Sequence, residues 1–238
     1  MQKVSAINSK RPAEKKWVDK KGVMKPMSKE ELDPDIWTFE SESHIMVDIE
    51  TMGTNSDSVI TSIGACQFQF AYRKDVEKQM MGIGEQPFEM HLDIADSLKQ
   101  GGNITKSTLL WWMNQPDDAR QALIDGQHES VSVLEGLTLF SDWIKSYGPN
   151  KQNVYLWGNG ASFDPVLLEY WFKRLELDIP WDFRNVRCFR TLCALFPLET
   201  DKIPERGDKD VKHRALDDAM YQLRLILAMM AKYKMVLA

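Results

Sequence analysis

The sequence predicts a single α/β domain built on a mixed β-sheet flanked by helices. Three observations lead there. Residues 44–50, 59–70 and 87–92 read as three consecutive strands, a meander that opens the fold. Helical segments follow, and two short strands, 153–157 and 183–189, return among them. No repeat and no linker interrupts the chain after residue 43, and 238 residues suit one large domain.

Residues 1–43 carry Lys, Pro and Ser without sustained periodicity and are read as a mobile basic arm preceding a folded domain over 44–238. The arm is taken first as a solvated tail, with phosphate contact as its alternative role. In the opening strand Ile45, Val47 and Ile49 face one way, while Met46, Asp48 and Glu50 face the other. Residues 53–57 form a turn. Thr105 opens a helical stretch containing Leu109, Trp111, Trp112 and Met113; adjacent helical residues point about 100° apart, which sends one of the two tryptophans to the core. Pro116 begins another helix through Ile124. Segment 131–147 sets Val133, Leu134, Leu137, Phe140 and Ile144 on one amphipathic face. Strand 153–157 runs into Gly158-Asn159-Gly160. Asp164 is placed as the N-cap of a helix over 165–175, with Pro165 in its first turn. A short helix over 190–196, a long loop over 198–212 and a final helix over 213–234 complete the chain.

The formal charge of −5 conceals an asymmetry. Residues 1–29 hold nine basic side chains against Glu14 and Asp19, net +7, which leaves the remainder at −12. So acidic a body excludes a generally basic nucleic-acid binder, but it does not exclude nucleic acid where a bound cation inverts the local sign. Cys66, Cys188 and Cys193 form an odd set in apolar surroundings without a C-x-x-C, and are expected as reduced core residues of a cytoplasmic protein. The longest apolar runs, such as 225–231, fall well short of a bilayer span, and the amino terminus has no signal-peptide core, so no membrane association is expected.

Asp48 and Glu50 leave the same face of a strand inside apolar sequence. Two like charges there repel, and desolvation adds to the cost, so a cation must compensate unless the acids emerge into solvent beyond the strand's end. Asp164 follows a strand and small residues at a helix start, the position where open α/β sheets collect ligands. His213 and Asp218 lie five apart at the start of the last helix. Each of these positions has an ordinary structural reading alone; their combination and order do not.

Together they resemble the DEDDh superfamily of 3′→5′ exonucleases. The first motif is similar to Asp48-Ile49-Glu50-Thr51-Met52-Gly53, the second to Asn159-Gly-Ala-Ser-Phe163-Asp164, and the third to His213-Arg-Ala215-Leu-Asp217-Asp218. The likeness spans about residues 44–235. Residues 107–115 with Ala119-Arg120 resemble a narrower branch that includes the exonuclease A of T-even bacteriophages and bacterial exoribonucleases similar to ribonuclease T. Gly160 stands where the pattern usually has an aromatic residue or His, and the basic arm has no counterpart.

The resemblance implies a ribonuclease H-like fold and two divalent ions, Mg²⁺ or Mn²⁺, held by Asp48, Glu50, Asp164 and Asp218, with Asp217 as the rival third-motif acid. Hard ions of this kind prefer carboxylate oxygens, and two of them balance four negative charges. It further implies His213 as general base, a role that suits an imidazole titrating near neutral pH. Thr51, Met52 and Gly53 are expected to meet the terminal nucleotide, Met52 as a wedge, and Phe163 and Trp112 to contact bases. Arg184, Arg187 and Arg190 are read as a basic stripe or a solvated strand face. The expected partner is the 3′ end of single-stranded nucleic acid, DNA ahead of RNA. Homodimerisation and a replication or repair partner are left open, and the host is a bacterium or a phage-infected cell. The opposing reading is a catalytically silent nucleic-acid-binding relative.

Overall fold

The structure, a computed structural model, describes residues 16–18, 24–26, 37–39, 42–73, 78–84, 86–208 and 210–233. The predicted opening meander is β4 (Ser43–Thr51), β5 (Ile60–Arg73) and β7 (Phe88–His91). Three short strands precede it, β1 (Lys16–Val18), β2 (Met24–Pro26) and β3 (Trp37–Phe39), and β6 (Lys78–Ile83) lies between β5 and β7. The segment read as an arm therefore adds strands to the sheet at these residues; three-residue strands are too short to leave a period in the sequence. Helices α1 (Ile94–Lys99), α2 (Lys106–Met113), α3 (Asp117–His128) and α4 (Val133–Tyr147) follow. The chain then returns through β8 (Val154–Gly158), α5 (Asp164–Arg174), β9 (Val186–Cys188), α6 (Phe189–Leu195) and α7 (Ala215–Tyr233).

The described strands make one sheet in the order β2-β1-β6-β5-β4-β8-β9, with β3 and β7 also paired to β5. β5 runs antiparallel to β4, whereas β8 joins β4 in parallel and β9 joins β8 in parallel. Long β5 serves two partners on its far side, β7 at Ser62–Ala65 and β6 at Phe68–Arg73. A mixed sheet flanked by helices is the α/β architecture the sequence predicts.

Strand alternation divides the core into two layers. Ile45, Val47 and Ile49 pack with Leu137, Phe140 and Ile144 of α4 and with Leu168 and Trp171 of α5. Met46 turns to the opposite face, where Cys66, Phe68 and Trp157 meet Ala219, Leu223 and Ile226 of α7. Each side chain so enclosed contributes roughly 1.5–3 kcal/mol of burial. Asp48 and Glu50 share the Met46 face, so they lie under α7 and not beyond the strand's end.

Three local expectations change. Leu134 is exposed on α4, because it sits one position off the buried stripe formed by Val133, Leu137, Phe140 and Ile144. Cys188 and Cys193 are only half-buried; Cys66 alone is a core thiol. Asp164 is the first residue of α5, not its cap: Phe163 occupies the cap position and makes no side-chain capping bond. Among the described residues, no helix is long and apolar enough to cross a membrane.

Candidate active site

The site is assembled where the sheet permits α7 to come unusually close. Asp48 pairs in register with Gly64 of β5. A Cβ on Gly64 would lie 2.0 Å from the Leu216 nitrogen and 2.2 Å from the Ala215 carbonyl carbon. The bare glycine thus lets the first turn of α7 rest directly on the strand beside Asp48. Asp218 and Gln222, one helical turn apart, then face the strand carboxylates. Gln222 Nε2 donates to Asp48 Oδ1 at 2.8 Å, while Gln222 Oε1 is buried without a hydrogen-bond partner.

Asp48, Glu50, Asp164, Asp218 and His213 all line one cavity of about 400 Å³. Asp164 reaches it from the end of β8 by folding back over the glycine turn. Its Oδ2 accepts a long bond from the Gly160 N–H at 3.4 Å. A Cβ on Gly158, the last residue of β8, would stand 2.8 Å from that same oxygen, so the glycine just before the second motif makes room for the acid. The two candidate acids of the third motif separate cleanly. Asp218 accepts from the His213 N–H at 3.1 Å and lines the cavity. Asp217 is equally half-buried but is not among the cavity's lining residues; it accepts from the Val211 N–H at 2.9 Å and lies 3.8 Å from Arg214.

His213 adopts a left-handed backbone, φ 66°, uncommon for a residue with a Cβ and typical of strain held at functional sites. Several contacts impose it. Next to it, Arg214 makes a two-pronged bond to Glu89, each distance 2.8 Å. The imidazole stands edge-on to Trp111, ring centres 4.8 Å apart, and more distantly to Trp112. One ligand atom each of Glu50, His213 and Asp218 lie within 4.8 Å of one another.

The electrostatics are those of crowded acids. Burial, followed by the charges of Asp164, Glu50 and Asp218, holds the Asp48 carboxyl well above the ordinary range, and the Gln222 bond only partly offsets this. Glu50 is pushed up to about 8 by burial and then by Asp218 and Asp164. Asp164 rises to about 6 through burial, opposed by backbone N–H donors. Burial lowers the His213 imidazole, with Asp218 opposing. Oxygen donors that resist ionising together, beside the orphaned Gln222 Oε1, are a donor set that fits hard divalent cations.

The other predicted contacts are placed differently. Met52 is only 5% exposed and packs with Val59 and Trp112, so its side chain is no open wedge. Trp112 is 4% exposed and donates from Nε1 to the Thr51 carbonyl at 2.9 Å. Thr51 is buried and its hydroxyl donates to the Gly53 carbonyl at 2.7 Å. A Cβ on Gly53 would meet Ser58 Oγ at 2.4 Å, which makes this glycine a packing requirement. These residues brace the end of β4, while Phe163 does line the cavity. Of the three arginines, Arg190 lines it; Arg184 lies over Phe183 and Arg187 over Tyr155. Sequence reasoning missed Gly64, Gln222 and Arg206. Only Gln222 left a signal, its spacing of four from Asp218.

Four carboxylates and a histidine thus line one cavity beside a mixed sheet. Residues 43–230 match the family described as the 3′-5′ exoribonuclease Rv2179c-like domain. The chain belongs to that family and is a 3′-5′ exonuclease by class. It is 28% identical over 172 residues to an exodeoxyribonuclease of Enterobacteria phage T4, covering 66% of this chain and 73% of that protein. It is also similar to the solved cell-death related nuclease 4 (CRN-4), with a TM-score of 0.49 and 14% identity over 81% of this chain. The match spans 64% of that nuclease.

Proposed function

We propose that the protein removes nucleoside 5′-monophosphates one at a time from the 3′ end of single-stranded nucleic acid, with DNA as the favoured strand. Asp48, Glu50, Asp164 and Asp218 would hold two divalent cations, Mg²⁺ or Mn²⁺. When bound, these supply Lewis acidity at the phosphodiester and make water a competent nucleophile near neutral pH. The observation that carries the reading is the convergence of Glu50, His213 and Asp218 to within 4.8 Å beside Asp48 and Asp164.

His213 accepts the proton of the attacking water. Burial favours its uncharged form at neutral pH, the state a base requires. Trp112 Nε1 donates to the Thr51 carbonyl and so braces the end of the strand that carries Glu50. Phe163 offers a ring against which a terminal base can stack regardless of sequence. The T4 relative's name supports DNA; the family's description favours RNA as the second reading.

The test uses DNA and RNA strands of one sequence, labelled at either end, with Mg²⁺, Mn²⁺ or EDTA. We expect immediate release of a 3′-terminal label as mononucleotide, a descending ladder from 5′-labelled strands, and neither in EDTA. DNA should be degraded faster. His213→Ala should lower the rate roughly 10²–10⁴-fold with cation binding retained, the span of general acid–base catalysis. Loss of the 5′ label first would contradict the polarity, and binding without any release would identify a silent binder.

A further inference from the structure

Arg206 occupies a position that neither the motifs nor the fold account for. It lies in the loop before α7 and lines the same cavity as the four carboxylates. Its Nη2 stands 2.5 Å from Asp218 Oδ1, and its guanidinium lies over the Tyr221 ring, 4.4 Å from the ring centre. Of the three cationic side chains lining the cavity, Arg190, Arg206 and Lys212, it is the one at ion-pair distance from a cavity carboxylate among the described residues.

The pairing is close but undirected. Neither Asp218 Oδ1 nor Arg206 Nη1 has a hydrogen-bond partner, although both atoms are shielded from solvent. Arg214 and Glu89 nearby show the alternative, two aligned bonds of 2.8 Å that form a fixed brace. Arg206 therefore neutralises Asp218 by charge while keeping one donor, Nη1, unused. Its backbone is anchored independently. The Gly207 N–H donates to Asp210 Oδ2 at 2.8 Å, and Arg224 of α7 donates to that same oxygen at 2.5 Å. With the loop tied one residue away and Tyr221 as a platform, the guanidinium is free to change partner without the loop unfolding.

We propose that Arg206 is the resident counter-cation of the site: it holds Asp218 while the cavity is free of divalent ions and exchanges that carboxylate for a phosphate oxygen of the bound strand. Of the two Asp218 oxygens, Oδ1 is the one without a hydrogen bond and so the freer to act as a ligand, since Oδ2 accepts from the His213 N–H. A planar guanidinium with a spare donor suits a phosphate oxygen once released. The same side chain thus competes with divalent cations and assists the polyanion. The proposal rests on the reading of this cavity as a cation-dependent nuclease site.

The two effects have opposite signs, which makes them separable from a merely structural role. Arg206→Gln should bind Mn²⁺ about tenfold more tightly by calorimetry, the gain expected if the pair engages Asp218 about nine-tenths of the time. With Mn²⁺ saturating, its KM for a single-stranded oligonucleotide should rise about tenfold, and Arg206→Lys should recover part of that loss by restoring the charge. Lys212→Gln removes the same charge from the cavity without touching Asp218, and should shift Mn²⁺ affinity less than about twofold. Weakening of both Mn²⁺ and oligonucleotide binding in Arg206→Gln would make the residue structural and overturn the exchange. No change in either, or an equal gain in Lys212→Gln, would overturn it as well. A wild-type chain that binds no Mn²⁺ would reject the site itself, a failure distinct from these.

Discussion

Replacing Gly64 by alanine adds one methyl group at a position with no contact to any reacting atom, and should nonetheless disable the enzyme. The new Cβ would stand 2.0 Å from the Leu216 nitrogen, 2.2 Å from the Ala215 carbonyl carbon and 2.4 Å from the Leu216 Cα. All three are backbone atoms, so no rotamer change relieves the overlap. Restoring an ordinary contact near 3.4 Å requires α7 and β5 to separate by about 1.4 Å. Overpacking of this kind costs roughly 1–3 kcal/mol, or about 2–12 °C in Tm for a domain of this size. The catalytic penalty should be larger than the stability loss suggests. Asp218, Gln222 and the His213 backbone all ride on the displaced turn, and a misplacement of about 1 Å costs on the order of 10²-fold in rate. The assay is single-turnover release of a 3′-terminal nucleotide at saturating divalent cation, with Tm measured in parallel. Leu216→Ala should not rescue the variant, because the obstructing atoms belong to the main chain. A Gly64→Ala protein with wild-type Tm and a rate within about threefold of wild type would refute the close-approach argument.

Further predictions concern the acids and their support. In EDTA the folded form holds Glu50 at about 8 and Asp164 at about 6, both above their unfolded values, so it binds more protons than the unfolded chain between about pH 4 and 8. Stability without divalent cations should therefore decline as pH rises through that window, and saturating Mg²⁺ should flatten the decline; a Tm in EDTA that stays level from pH 6 to 8.5 would contradict the crowding. Asp218→Asn should lose at least about 10² in rate, whereas Asp217→Asn, whose carboxylate only accepts the Val211 N–H and faces Arg214, should lose about 1 kcal/mol in urea denaturation and retain activity. An inactive Asp217→Asn beside an active Asp218→Asn would reverse the assignment. Trp112→Phe strands the buried Thr51 carbonyl and should cost roughly 1–3 kcal/mol, read from the same denaturation.

The gathering of the four acids around one cavity is legible because they are written in order and in local context: two on one strand face, one after a glycine turn, and one on the first turns of the last helix. Strand alternation even assigned Asp48 and Glu50 to the face opposite Ile45, Val47 and Ile49, which is how the two core layers divide. What stayed hidden depends on contacts between distant segments. Gly64 reads as an unremarked residue inside an apolar strand; its role exists only because α7, some 150 residues later, lies against it. Arg206 sits in a loop whose charges look solvated until one of them is found beside Asp218. From the sequence, Met52 is expected to contact substrate because it follows the first motif, and one of Trp111 and Trp112 is expected in the core, with Trp112 also counted among the base contacts. Burial assigns Met52 and Trp112 instead to bracing the strand end that carries Glu50. β6 and the first three strands, three to six residues long, leave little period in the sequence and borrow their order from their neighbours' hydrogen bonds.

The proposed function requires that four mutually repelling carboxyls stay incomplete until divalent cations bind among them. Calorimetric titration of Mn²⁺ at pH 7, run in two buffers of different ionisation enthalpy, tests it most directly. Because Glu50 is held at about 8 and Asp48 well above its ordinary range, binding should be saturable and accompanied by proton release, and Asp48→Asn should abolish it. Absence of saturable binding, or equal binding by Asp48→Asn, would contradict the claim.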